Sequence, residues 1–326
     1  MKRTSMTFAL LGLALASVPA FAAAPARPGT LNYVEGAAYL DGQKLTQKDV
    51  GSIDLEPGQE LTTATGKAEV LLTPGVYLRV GSESAVKMVS PDLTMTQMEV
   101  DKGHAGVEVD QIYNENNLQI VDDGVSTRLQ KNGYYEFNAD QPEVQVFKGR
   151  AAVEVADGKT RELKDHHELM LAGGPDGRPL AQEKPKSFNT DVAQTDNLYD
   201  WSRLRSEYLA DANNQMAGEY AYAGYTPGWY WDPYGWDYTY FGAGPFYSPF
   251  GWGFYPFGWG WGGWYGGGWY GGRYFHGPYR GAGPAGFHGG GFHGGVHGGG
   301  SFHGGGSFHG GGFAGGGFHG GGGGLR

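Results

Sequence analysis

Glycine divides this chain in two. Residues 1–217 hold 18 of its 61 glycines, and residues 218–326 hold the other 43. Glycine loses more backbone freedom on folding than any other residue, so the second stretch is not ordinary helix or core strand. A globular domain has to be sought before Gly218. The formal charge of −10 also belongs to that first part. The last 109 residues carry three acids (Glu219, Asp232, Asp237) and three bases (Arg273, Arg280, Arg326). No stripe of lysine and arginine runs along the sequence, which argues against a nucleic-acid partner. There is no cysteine. That excludes disulfides, thiolate metal sites, a cysteine nucleophile and lipid attachment at an N-terminal Cys.

Residues 1–22 read as a signal peptide. Lys2 and Arg3 form a positive start, Phe8–Val18 an apolar stretch, and Ala20-Phe21-Ala22 a small-residue cleavage site. Cleavage is expected after Ala22, because Pro25 disfavours cleavage after Ala24. Eleven apolar residues span only about 17 Å as a helix, against a hydrocarbon core of about 30 Å. No membrane span is therefore expected once the signal is removed, and the location expected is periplasmic or secreted. The mature charge becomes 22 − 34 = −12.

Residues 29–173 show short β-rich runs broken by turn residues. Lys67–Thr73 and Val76–Val80 flank Pro74-Gly75, Val125–Gln130 and Tyr134–Asn138 flank Asn132-Gly133, and Ala151–Ala156 and Thr160–Leu163 flank Asp157-Gly158. Asn-Gly and Asp-Gly are turn dipeptides of tight hairpins. Val125/Thr127/Leu129, Val144/Val146, Val153/Val155 and Leu169/Leu171 alternate with polar residues. The former are expected inside, and Glu, Arg, Lys and Gln outside. The fold class expected is mainly β, a sandwich or a rolled, solenoid-like sheet.

This region resembles the FecR-like domain family. The resemblance rests on the strand carrying Gly36, then Pro57-Gly58, Thr65-Gly66 and Pro74-Gly75 before Tyr77–Ser84 (YLRVGSES). It continues in the Gly-containing strands and closing strand of Val125–Leu171. The family's name-giving members relay signals to a sigma factor through a cytoplasmic N-terminal segment and a membrane helix. Only seven residues precede the apolar stretch here. The resemblance thus implies an exported β module rather than an anti-sigma factor.

Residues 174–194 read as a linker. Residues 195–217 then change period: Leu198, Trp201, Leu204/Arg205, Tyr208 and Ala212 fall on one face of an amphipathic helix, with Thr195 or Asp196 as N-cap. Leu198, Trp201 and Tyr208 are expected to pack it on the β domain. Residues 218–280 form an aromatic, Gly/Pro-rich segment expected to be partly ordered. Within it, Tyr220–Tyr279 holds 8 Trp, 13 Tyr and 6 Phe. The helix followed by GWYWDPYGW resembles an arrangement found after FecR-like domains in exported bacterial proteins. Some rings, those of Trp229–Tyr240, are expected to pack back on the β domain; the alternatives are self-association and a sticky surface, because flat rings with polar tips stack on sugars and on other rings. The candidate ligand-binding residues are Trp229, Tyr230, Trp231, Tyr234, Trp236, Trp252, Trp259, Trp261, Trp264 and Trp269.

Residues 281–326 repeat Phe-His-Gly without a fixed period and are expected to be disordered. Imidazole is a good ligand for Zn, Ni or Cu, so His288, His293, His297, His303, His309 and His319 are the candidate metal residues. No carboxylate follows Asp237, so such binding would be adventitious, and no cofactor is expected. Gly281–Gly286 matches G-x-G-x-x-G but contains Pro284, and His167-Glu168 lacks the second histidine of H-E-x-x-H because Leu171 stands there. No catalytic residue is assigned. The function expected is a non-catalytic, envelope-associated interaction module whose partner is an envelope protein or polysaccharide. Metal capture by the tail is the alternative, and a cell-wall-active enzyme the third reading.

Overall fold

A computed structural model describes residues 25–154, 159–173, 179–181, 184–193 and 197–256. The expected signal peptide, Val155 with Asp157-Gly158, the N-cap candidates Thr195 and Asp196, and residues 257–326 lie outside these. The strands are, in order, β1 (Leu31–Glu35), β2 (Ala38–Leu40), β3 (Gln43–Lys44), β4 (Glu60–Thr63), β5 (Lys67–Leu71), β6 (Val76–Val80), β7 (Ala85–Asp92), β8 (Met95–Lys102) and β9 (His104–Val109). There follow β10 (Leu118–Asp122), β11 (Val125–Leu129), β12 (Gly133–Asn138), β13 (Glu143–Lys148), β14 (Arg150–Glu154), β15 (Thr160–Lys164), β16 (His167–Gly173), β17 (Pro179–Ala181) and β18 (Lys186–Ser187). After them come α1 (Thr190–Ala193), α2 (Asn197–Ala223), β19 (Gly228–Asp232), β20 (Asp237–Phe241), β21 (Phe246–Tyr247) and β22 (Gly253–Phe254).

The β domain is two sheets. One runs β1-β5-β6-β9-β12-β13-β16-β17, with β18 also on β16, and the other β15-β14-β11-β10-β8-β7-β4-β2-β3. The chain changes sheet every one to three strands, which winds it into a roll. β9 crosses to the first sheet between β8 and β10, so those two lie side by side in parallel in the second. One apolar core fills the space between. Leu31, Val70, Leu78, Val107 and Val146 come from the first sheet, and Leu61, Val86, Met98, Ile120 and Val153 from the second. Burying each such side chain contributes roughly 1.5–3 kcal/mol. Val125, Thr127, Leu129, Val144, Leu169 and Leu171 are all buried, as their alternation requires.

The turns show both agreement and correction. β5 and β6 form the hairpin across Pro74-Gly75, and β10 and β11 that across Asp123-Gly124, both with positive φ. Asn132-Gly133 is not a hairpin. β11 belongs to the second sheet and β12 to the first, and Asn132-Gly133 is the step between them. The reason is contact rather than turn angle: a Cβ at Gly133 would overlap the carbonyl oxygen of Lys148 on β13. Asn132 is likewise committed elsewhere, donating to Asp110 O at 2.6 Å and accepting from Ile112 N at 3.2 Å.

The stretch read as a linker supplies two short strands to β16, through Leu171↔Ala181 and His167↔Ser187. α2 continues to Ala223, beyond the expected 217. Its face also differs. Leu198 and Trp201 are buried, but Tyr208 is 52% exposed and Leu204 40%. Arg205 and Ala212 of the expected face are buried, and the rest of the buried stripe is Ser202, Ser206, Leu209, Ala210, Asn213, Met216 and Ala217. Four of its members, Ser202, Arg205, Ser206 and Asn213, are polar because the sheet they cover is polar. No helix among the described residues is long and apolar enough to cross a membrane.

Candidate functional site

The outer face of the first sheet carries Glu69 on β5, Tyr77 and Arg79 on β6, Glu108 on β9, and Tyr134 and Glu136 on β12. Alternation turns them away from the apolar core, yet Glu69, Arg79 and Glu108 are wholly buried. A second layer covers them, made of α2 and the β19–β20 hairpin.

The cover is polar where the sheet is charged. Arg79 donates from Nε to Glu69 at 2.8 Å and pairs through Nη1 with Glu108 at 2.5 Å. Arg205 of α2 donates from Nη2 to Glu69 at 2.9 Å and to Asp237 of β20 at 2.7 Å. Its guanidinium lies 4.1 Å over the ring of Tyr33. Ser206 donates to Glu108 at 2.6 Å, and the Tyr134 hydroxyl donates to Glu136 at 2.7 Å and hydrogen-bonds with the Ser202 hydroxyl at 3.0 Å. Asn32 of β1 donates to Glu69 at 2.8 Å and accepts from the Tyr238 amide at 2.6 Å. Burial pushes Glu69 up, but the Arg205 and Arg79 guanidiniums outweigh it and hold the carboxyl at about 2. Burial, reinforced by Glu108, drives Asp110 well above the usual carboxylate range. These ionised groups lie behind the cover, and their chemistry is that of a lock.

The hairpin is clamped on both faces. Trp229 packs edge-on to Tyr77 at 4.9 Å and to Tyr240 at 5.6 Å. Trp231 packs on Tyr238 at 5.0 Å and lies over Gly51, where a Cβ would come within 2.7 Å of its ring. On the helix side Thr239 donates to Leu209 O at 2.7 Å, and Phe241 meets Met216 and Ala217. Tyr230 packs on Phe241 at 4.7 Å, and its hydroxyl donates to Thr226 O at 2.8 Å. Trp252 donates from its indole to Arg203 O at 3.1 Å. Four of the candidate aromatics (Trp229, Tyr230, Trp231 and Trp252) are thus half-buried packing residues.

Two others form an exposed tip. Tyr234 is 74% exposed and Trp236 58%. Asp232 fixes their turn, accepting from the amides of Tyr234 at 2.9 Å and Gly235 at 2.8 Å, while its carbonyl accepts from Trp236 N at 2.9 Å. Trp236 is held at φ +57°, the left-handed region that glycine favours. Its ring lies 6.5 Å from that of Trp231. A third exposed ring, Tyr247 at 66%, accepts from the Tyr255 hydroxyl at 2.9 Å; the sequence pattern did not single out this pair. Trp259, Trp261, Trp264 and Trp269 and the six tail histidines lie outside the described residues. Among the described residues no group of three or more His, Asp or Glu could hold a metal ion.

No family model matches this chain, and no curated protein is significantly similar to it. Among solved structures it is similar to two crystal structures of a proposed anti-sigma factor from Parabacteroides distasonis ATCC 8503. Identity is 13% and 14%, over 41% and 42% of this chain, with a TM-score of 0.34 in both cases. The chain spans 62% and 65% of those chains. A likeness of that size carries no argument about activity or partner.

Proposed function

We infer that the chain is an exported, non-catalytic interaction module of the bacterial envelope, built on a FecR-like β domain. The observation that supports it most is the aromatic tip. Tyr234 and Trp236 stand in solvent on a hairpin braced by sheet, helix and Asp232. Rigid exposed rings lose little entropy on binding and offer both a stacking face and a hydrogen-bonding edge. The β domain supplies the frame, and the buried ion pairs fix the hairpin on it.

The test is retention of the full chain on envelope fractions, beside Tyr234→Ala/Trp236→Ala. The double variant is expected to elute while the parent is held. Equal retention of both would remove the tip from the binding device.

A further inference from the structure

A second surface lies at the end of the roll where the chain steps between sheets. Three steps meet there: Gln130–Asn132 between β11 and β12, Gly149 between β13 and β14, and Asp165–His166 between β15 and β16. The Tyr135 hydroxyl ties them together, donating to Lys131 O at 2.5 Å and accepting from Arg150 N at 3.0 Å, with Arg150 O 3.2 Å away. Gly149 N donates to Asp165 Oδ1 at 2.7 Å, and Gln130 N to Arg150 O at 2.9 Å. The backbone beneath this surface is therefore cross-braced.

Two adjoining hollows of about 510 and 330 Å3 share Lys131 and Asn132. Arg128 and Lys131 line the first, and Lys131, Lys148, Arg150 and Lys164 the second, with Asp165 the one acid lining either. Arg150 and Lys164 share Glu162 at 3.8 and 3.3 Å. Arg128, Lys131 and Lys148 have no ion-pair partner among the described residues. Five bases so gathered, in a chain of net charge −10, make a local positive field in an otherwise acidic molecule. The first hollow adds another chemistry. Asn114 and Gln130 line it with side-chain amides that make no hydrogen bond within the described protein, beside Tyr113, 38% exposed. Amides match hydroxyl groups, which donate and accept alike, and a phenol ring matches the flat face of a sugar.

We propose that this groove binds an acidic polysaccharide, its bases taking the carboxylates or phosphates and its amides the hydroxyls. A nucleic acid fits less well. Single strands are held by successive stacking rings, and this groove offers one. The proposal is independent of the Tyr234–Trp236 tip, which lies on another element.

The experiment measures binding of the full chain to polygalacturonate, with neutral dextran and a single-stranded oligodeoxynucleotide of equal charge alongside. The expected result is binding of polygalacturonate that weakens with salt, no binding of dextran, and weaker binding of the oligonucleotide. Lys131→Glu/Lys148→Glu, at two exposed positions, is expected to lower polygalacturonate affinity roughly tenfold or more. Lys44→Glu/Lys102→Glu, equal in charge change but on strands away from the groove, is expected to change it little. No binding, an equal loss in both pairs, or no loss in the groove pair would each overturn the proposal. Oligonucleotide binding as tight as that of polygalacturonate, lost in the same variant, would overturn the glycan assignment. Loss in Tyr234→Ala/Trp236→Ala alone would place the glycan at the tip and overturn it as well.

Discussion

Arg205 and Glu69 are 136 residues apart in sequence and 2.9 Å apart in space. The same Arg205 nitrogen also holds Asp237. One guanidinium thus joins the sheet, the helix and the hairpin. Removing it leaves Glu69 with Arg79 as its one cation and Asp237 without its cation, both out of water. Breaking such a pair from one side costs about 3–5 kcal/mol. Arg205→Ala is therefore expected to lower the denaturant midpoint steeply. A loss below about 1 kcal/mol, the size of a surface pair, would show that the network does not fasten the cover.

Buried carboxyls contribute to stability against pH with opposite signs. Burial, reinforced by Asp123, raises the buried Asp122 carboxyl to about 7. Burial and Glu168 raise Glu143 to about 7. Between their unfolded values near 4 and about 7 the folded state holds more protons, so these groups make stability fall as pH rises. Glu69, held at about 2, works the other way: its contribution is complete above the ordinary glutamate range and lost as pH falls toward 2. Asp122→Asn removes one of the raised groups. It is expected to raise stability at pH 8 and to flatten the urea-midpoint profile between pH 5 and 8. An unchanged slope would show that Asp122 does not titrate there.

Alternation made the β domain legible. Val125/Thr127/Leu129 and Val144/Val146 could be assigned inward from sequence, and Pro74-Gly75 marked a true hairpin. Alternation also sent Glu69, Arg79 and Glu108 outward, but it does not say what covers an outward face. The helix was legible as a cover through Leu198, Trp201, Arg205 and Ala212, all buried; Ser202, Ser206 and Asn213 do not register in an apolar helical stripe, which pointed to Tyr208 instead. GWYWD and DYTYF carry a period of two about a turn, a hairpin signal that the surrounding glycine and aromatic bias obscured. The bases of the groove sit at positions 128, 131, 148, 150 and 164. Sequence shows no stripe there, because sheet crossings rather than neighbourhood bring them together.

The step at Gly133 tests whether contact or turn angle placed that glycine. Any side chain there meets the Lys148 carbonyl, a backbone atom that cannot swing away. Gly42, at φ +79°, has nothing within 4 Å of its virtual Cβ, so its substitution costs only backbone strain, about 1–2 kcal/mol. Gly133→Ala is expected to be the more damaging, above about 2 kcal/mol, since it forces β12 and β13 apart. Thermal melts of both variants decide this, and equal losses would mean that the crossing relaxes around the methyl group.

Trp236 stores backbone strain at an exposed position, and this separates stability from binding. Glycine in its place removes the left-handed penalty, roughly 1–2 kcal/mol. It also forfeits the ring contact with Trp231, worth about 0.5–1.5 kcal/mol. The two nearly cancel, so Trp236→Gly is expected to melt within about 1 kcal/mol of the parent. Retention on envelope fractions is nonetheless expected to drop, because the exposed ring is gone while Asp232 still shapes the turn. A variant that melts much earlier would show Trp236 to be a packing residue. One that melts normally and is still retained would show the strained tryptophan to have no part in binding.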